Sequence, residues 1–403
     1  MRRLALLLAV AAVLDPRTGD AAGFAIVEQS ALAGGTAGAG VARAWDPAAA
    51  WYNPAALAGR AGLSAAAGLL VLAPTLQATA PDGAWTGETS SPPRTPPHAY
   101  VSAGWGPFAG GLAFNVPFGS SVVWPESWEG RYVTVSSQLQ VMRLSPFVAW
   151  RFFRRLGVSA GLHVDFATLA LRRRLDFIDT EGSVAVELRQ AGGLGGHASL
   201  YLDVASWLSL GATYKSRTTL ALEGEARFEA PPPFAAKTTD QRAAAAYHLP
   251  DLIVIGAEVR PHPRWSAVLD LGITVWSVYD QLFVDFEREE TTDVRQRAEW
   301  STRVSVRGGA EFRPLSWLAT RLGLLYDPTP VPADTLAPSS PDSHRVGVSL
   351  GLGARLPFGI SVDAFYSYVH FLGQQSTVTE TLAATYGGRL HVTGVGLRYE
   401  LAR

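Results

Sequence analysis

The chain has 403 residues, a formal net charge of -1, 48% hydrophobic residues and 17% charged ones. Near-zero charge gives no electrostatic basis for nucleic-acid binding, and the absence of cysteine excludes disulfides, thiolate catalysis and cysteine-based metal sites. Forty glycines and twelve tryptophans against two methionines suit an all-β membrane protein better than a soluble α/β enzyme.

The first residues have the order of an export signal. Arg2 and Arg3 precede the apolar run Leu4 to Leu14, too short to span a bilayer as a helix. Gly19 and Ala21 meet the small-x-small rule, which places cleavage after Ala21 and a signal peptide over 1–21. No later stretch approaches the ~20 apolar residues of a membrane helix, so any span is expected to be β.

Residues 22–61 fit neither pattern that follows. "AWDPAAAWYNPAALAGR", Ala44 to Arg60, is interrupted by Pro47 and Pro54 and lacks strand alternation. Its small side chains suit a compact unit inside a polar cavity.

From Gly62 the two-residue period takes over, giving a barrel domain over 62–403. Leu208, Leu210, Ala212, Tyr214, Leu220 and Leu222 share one phase; Ser209, Thr213, Lys215, Arg217, Glu223 and Glu225 share the other. Trp300, Val304, Val306, Ala310 and Phe312 likewise oppose Arg303, Arg307, Glu311 and Arg313, and Val346 to Leu356 oppose Arg345, Ser349 and Arg355. One apolar and one polar face fit a strand between lipid and a wet lumen. Short connections, such as Gly106–Phe108, Phe153–Arg155 and Arg313–Ser316, alternate with long polar ones, such as Pro74–Pro97, Arg174–Glu187 and Asp327–Asp342. Proline clusters fall in the long set, where no ladder bond is lost. Trp105, Trp150, Trp207, Trp265 and Trp317 each sit beside a short turn, as a periplasmic girdle would. The pattern predicts an all-β, transmembrane, up-and-down antiparallel barrel of about fourteen strands. A barrel of that size encloses a lumen that leaks unless filled, and residues 22–61 are the candidate plug.

Within the third barrel strand, "AGGLAFNVPFG" (Ala109–Gly119) carries Gly110, Gly111, Asn115 and Pro117 among Phe114 and Phe118. Glycine weakens pairing and proline removes a donor, so the stretch predicts a kink or bulge. Of the eight histidines, His163 shares a face with Asp165 and His197 with Ser199. A hydrolase or metal site is one reading of these pairs, lumen-wall polarity the other; a triad also needs a third positioned group. The run Gly192–Gly196 lacks a following GK[ST] and is no phosphate loop. Lys215, Arg217, Arg303, Arg307 and Arg345 are expected to pair with Glu223, Glu225 and Glu311 along the wall. Lys215, Arg217 and Arg303 are also candidates to meet a substrate carboxylate.

The segment "GFAIVEQSALAGGTAGAGVARAWDPAAAWYNPAAL" resembles the N-terminal hatch of FadL-type outer-membrane transporters of long-chain fatty acids and other hydrophobic compounds. The matching positions are Gly23-Phe24, Glu28-Gln29 and Asn53-Pro54-Ala55. "VPFGSSVVWPESWEGRY", "LPDLIVIGAEVRP" and "YDPTPVPADTLAPSSPDSHRVGVSLG" resemble the same family, in order along the chain. The resemblance implies a fourteen-stranded barrel with a hatch, in the outer membrane of a Gram-negative bacterium, with no cofactor, no metal and no catalytic residues. It implies capture of a long-chain fatty acid by external loops, a lumen pocket, hatch movement and lateral exit at a kinked third strand. Aromatic hydrocarbons are the other substrate class of that family; an outer-membrane lipid hydrolase and a structural barrel are readings from other classes. Expected partners are outer-membrane lipid, lipopolysaccharide and the barrel assembly machinery, with the chain a monomer. One departure is the last strand, which ends Tyr399-Glu400-Leu401-Ala402-Arg403 rather than on an aromatic residue.

Overall fold

A computed structural model describes residues 23–401, apart from Trp45, 235–237 and 379–381. The signal-peptide expectation therefore lies outside the described residues. Nineteen strands are found among them, in one continuous sheet. The first ten are β1 (Gly62–Thr79), β2 (Thr86–Glu88), β3 (Pro97–Trp105), β4 (Phe108–Val123), β5 (Ser136–Phe152), β6 (Leu156–Asp176), β7 (Glu181–Ala205), β8 (Leu208–Lys215), β9 (Thr218–Glu229) and β10 (Gln241–Leu249). There follow β11 (Leu252–His262), β12 (Trp265–Thr274), β13 (Gln281–Phe286), β14 (Val294–Arg297), β15 (Arg303–Leu315), β16 (Leu318–Asp327), β17 (Arg345–Arg355), β18 (Ile360–Gln375) and β19 (Thr385–Leu401).

Five of the nineteen (β2, β9, β10, β13 and β14) lie in the long connections, leaving fourteen that form the barrel wall. All neighbours are antiparallel, and β1 closes on β19 from Leu63↔Leu401 to Thr79↔Thr385. Closure satisfies the backbone without water, the condition for crossing lipid with strands. No described helix is long and apolar enough to cross a membrane.

The expected two faces are present in the wall. Leu322, Leu324, Leu350 and Leu352 point outward and are at least half exposed, whereas Ser349, Arg321 and Glu311 are buried inside. Trp105, Trp150, Trp265 and Trp317 are exposed at the ends joined by short turns; Trp150 stacks on Phe108 and Trp265 on Phe312. The last strand keeps Val395, Leu397 and Leu401 outside.

Beyond the lipid belt the sequence reading needs three corrections. The stretch Trp207–Glu225 is two strands, not one. Between β8 and β9, at Ser216-Arg217, the phase inverts: Leu210 and Tyr214 face out, but Leu220 and Leu222 are fully buried within. Above the membrane the outside is water and the inside is an apolar core, so the same residue types take opposite faces. Arg174–Glu187 is no long loop either, because β6 and β7 pair to Asp176↔Glu181 and only a tight turn joins them. Trp300 does not belong to the lipid face; it precedes β15 and is buried with Leu220 and Leu222 in one core. In the Gly192–Gly196 run, Gly192 (φ 101°) takes up the register shift between Asp165↔Gly193 and Phe166↔Ala191.

Candidate functional site

The described residues before β1, from Gly23 onward, form single helical turns packed against inward-facing positions of the wall. Ser30 caps Ala31–Gly34 by accepting from Ala33 N at 3.0 Å, and Asp46 Oδ1 accepts from Ala48 N ahead of Ala49–Tyr52. Pro54 then starts the 3-10 turn Pro54–Leu57, where its missing N–H costs nothing. The turns seat on the wall through bare backbone. A Cβ on Gly211 would stand 2.2 Å from Val41 O, and one on Gly323 2.4 Å from Ala37 N. Asp270 accepts from Gly40 N at 2.7 Å and Val41 N at 3.0 Å. Ser199 Oγ accepts from Ala55 N at 3.0 Å.

Asn53 is fully buried, and its amide donates to Val41 O at 2.7 Å and to Leu200 O on β7 at 2.9 Å. Asn53→Ala removes both of these buried bonds, a cost of about 1–3 kcal/mol. The variant is expected to melt at lower temperature than wild type in a heat-dependent gel-mobility assay. An unchanged melting temperature would reduce Asn53-Pro54-Ala55 to an ordinary turn.

At the other end of the segment, Phe24 enters an aromatic cage. Its ring centroid lies 4.5 Å from that of Trp276, 5.2 Å from Trp300, 5.6 Å from Tyr247, 6.2 Å from Tyr279 and 6.4 Å from Phe118. Burial pushes the Tyr279 hydroxyl up to about 12, so this loop residue stays a neutral phenol. Gly23 is pinned to the long connection before β17: its N–H donates to Asp342 Oδ2 at 3.1 Å, and its carbonyl accepts from Arg345 Nη2 at 2.6 Å.

The two sequence motifs, some ninety residues apart, meet here. Gln29 Nε2 donates to Val116 O at 2.9 Å, and Asn115 Nδ2 donates to Gln29 Oε1 at 3.1 Å. Pro117 O accepts from Ile26 N at 2.8 Å, and Gly119 N donates to Phe24 O at 2.9 Å. The β3–β4 ladder ends at Ala99↔Phe114, so Phe24–Ile26 occupies the edge of β4 that β3 has left. Between Asn115 and Phe118 the β4–β5 register shifts by one residue, a local bulge. Gly110 and Gly111 are not part of it. Both pair regularly, with Ala103 and Ser102 on β3 and with Val148 and Phe147 on β5. Gly111 is there for space: a Cβ would stand 2.2 Å from Val101 O. On the far side of the break, Arg94 bonds to Leu72 through its backbone and spans to Ser121 Oγ at 3.1 Å and to Gln138.

A cavity of about 430 Å³ runs along this break. Phe24, Leu76, Val122 and Leu390 line it from within, and Ser121, Gln138, Gln140 and Thr168 line it from the outer face of the wall. It lies where the outer face of β5 changes from apolar (Trp150, Val148, Leu144, Met142) to polar (Gln140, Gln138).

The expected charge pairs are not those formed. Lys215 is buried with its ammonium 4.2 Å from the Trp51 ring centroid. Arg217 pairs with Asp251 at 2.9 Å, and Arg303 donates to Thr329 O at 3.0 Å. None of these three lines the cavity, because each is taken up by a neighbour away from it. Glu223 points outward and Glu225 pairs with Arg227, while Glu311 holds Arg313 and Arg321 at 2.7 Å each. The cavity's cations are Arg94, Arg307 and Arg345. Arg307 meets Glu28 at 3.3 Å and Asp327 at 2.6 Å; Arg345 meets Asp342 at 2.6 Å. The suggested hydrolase pairs are otherwise engaged: Arg143 takes both oxygens of Asp165, and Ser199 bonds Ser159 and Ala55. Sequence reasoning misses the cage tryptophans; the available signal is that Trp276 and Trp300 lie beside no short turn and so fall outside the girdle pattern.

A closed antiparallel barrel of fourteen wall strands, with its own N-terminal residues packed against the inner face, defines a β-barrel membrane protein as a class. The chain belongs to the outer membrane protein transport protein (OMPP1/FadL/TodX) family, whose model matches residues 13–400. Among curated relatives, the long-chain fatty acid transport protein of Escherichia coli O6:H1 is 25% identical over 199 residues, covering 47% of this chain and 44% of its own. That of Salmonella typhi is 24% identical over 197 residues, covering 47% and 45%. The chain thus spans about half the length of the curated relatives it matches. Among solved structures, a Pseudomonas aeruginosa FadL homologue superposes with a TM-score of 0.85 at 18% identity, over 94% of this chain and 100% of its own. The P. putida toluene transporter TodX superposes at 0.74 with 17% identity, over 95% and 99%. Both share the fold.

Proposed function

We propose that the protein carries long-chain fatty acids, or similar hydrophobic molecules, passively across the outer membrane. Residues 22–61 act as a hatch, the cavity beside Phe24 receives the substrate, and the break beside β4 releases it sideways. The observation that carries this reading is the cavity at the break, lined from both faces of the wall. Burying an acyl chain there is worth about 0.8 kcal/mol per methylene, so release requires a second conformation. Phe24–Ile26, with its two backbone bonds to β4, is the natural moving part.

One observation favours aromatic hydrocarbons as the alternative cargo. Glu28 and Asp327 hold Arg307, Asp342 holds Arg345, and Arg94 bonds the neutral Ser121 and Gln138; three cations against three carboxylates give the cavity no net positive charge to draw in a fatty-acid head. Mass spectrometry of molecules extracted from the purified protein separates the two: a fatty acid supports the first reading, a neutral hydrocarbon the second. If neither copurifies or binds, transport of hydrophobic molecules is the wrong activity.

If Phe24 competes with substrate for the cage, Phe24→Ala removes the competitor. The variant is expected to bind a hydrophobic ligand about tenfold more tightly, equivalent to ~1.4 kcal/mol. Titration of the purified proteins with one ligand checks this, and an unchanged dissociation constant means that Phe24 does not guard the cavity.

A further inference from the structure

At the end of the barrel joined by short turns there is a second cavity, of about 520 Å³. Arg264, Arg313, Arg321, Arg355 and Arg398 line it, together with the girdle residue Trp317. Among the described residues, Glu311 and Asp363 hold three of these arginines. Glu311 holds Arg313 and Arg321 at 2.7 Å each, and Asp363 holds Arg321 at 2.7 Å and Arg398 at 2.6 Å. Asp46 and Glu400 act on Arg398 from farther off. Arg264 and Arg355 are the open cations of this cavity: both are exposed, and their side chains form no ion pair among the described residues. Trp317 and Leu315, about half exposed, place the rim of the cavity beside the inner leaflet.

We propose that this cavity is a binding site for an anionic head group carried on an acyl chain, a carboxylate or a phosphate. Arg264 and Arg355 hold the head, with planar forks that match either oxyanion. The acyl chain lies along Leu315 and Trp317 into the inner leaflet. A fatty acid and an anionic phospholipid share this chemistry. The site does not depend on which molecule crosses the barrel above it.

The test uses the full chain in neutral detergent and the double variant Arg264→Gln/Arg355→Gln, which breaks no ion pair of the described residues. Native mass spectrometry measures retention of palmitate, phosphatidylglycerol, phosphatidylcholine and inorganic phosphate, added separately. Neither residue lines the cavity beside Phe24, so ligand held there contributes equally to both proteins. Wild type is expected to retain palmitate or phosphatidylglycerol over phosphatidylcholine, and the double variant to lose about tenfold of that retention. Whichever of the two shows the loss identifies the source of the head group. Equal retention by both proteins, or of phosphatidylcholine, overturns the site. Inorganic phosphate retained as tightly as either amphiphile overturns the acyl-bearing ligand. Heat-dependent gel mobility confirms that the variant is a folded barrel.

Discussion

A chain lacking Gly23–Arg60 is expected to fold into the same barrel and to conduct small polar solutes, raising conductance at least about tenfold. Closure of β1 on β19 uses no residue of the segment. The wall also keeps its own charge pairs: Arg321 with Glu311 and Asp363, Arg398 with Asp363, Arg143 with Asp165, and Arg307 with Asp327. What the deletion strips is cover. Asp270 loses the Gly40 and Val41 amides, and Ser199 loses the Ala55 amide, so water must replace them. Stability falls, yet the lumen that opens is lined by groups that water solvates well. Planar-bilayer recordings decide the point, and unchanged conductance would show that these residues do not fill the pore.

How far the fold was legible follows from what each strand touches. Where lipid lies outside and polar side chains inside, as on β16 and β17, alternation alone assigns both faces and the short turns mark one end. Leu220 and Leu222 mark where that logic stops. Their alternation is as regular as that of Leu208 and Leu210, but outside the membrane the apolar side turns inward. Period does not say which solvent a face meets. Charges were less legible still. Parity puts Lys215 on one face with Glu223 and Glu225, whereas its ammonium meets the ring of Trp51, a residue before β1 and far away in sequence. The bulge at Pro117 was visible because proline carries its own constraint. That Gly110 and Gly111 stand outside it was not, since glycine marks either a kink or a close approach.

The proposed lateral exit gives the sharpest test, because proline accounts for both edges of the break in the wall. On one side Pro117 lacks a donor and lies in the one-residue excess between Asn115 and Phe118. On the other, Pro92, Pro93, Pro96 and Pro97 crowd the approach to β3, where donors to β4 would be needed. A substrate leaving between them stays in contact with the outer face of β5 and avoids about 0.8 kcal/mol for each methylene exposed to the periplasm. Deleting Pro117 restores one-to-one register and keeps Phe118 pointing inward, since Val116 then opposes Met142. Combined with Pro93→Thr and Pro96→Thr, it supplies donors on both edges. This barrel should fold and bind ligand from outside, yet deliver it at least about tenfold more slowly, a barrier increase of ~1.4 kcal/mol. Gly110→Val is the control: the nearest atoms to its Cβ are 3.6 Å away, so it should transport as wild type does. Radiolabelled uptake in cells, set beside binding to the purified proteins, separates delivery from capture. If the sealed barrel delivers at the wild-type rate, the sideways route is wrong. The substrate then has to pass residues 23–60 into the periplasm.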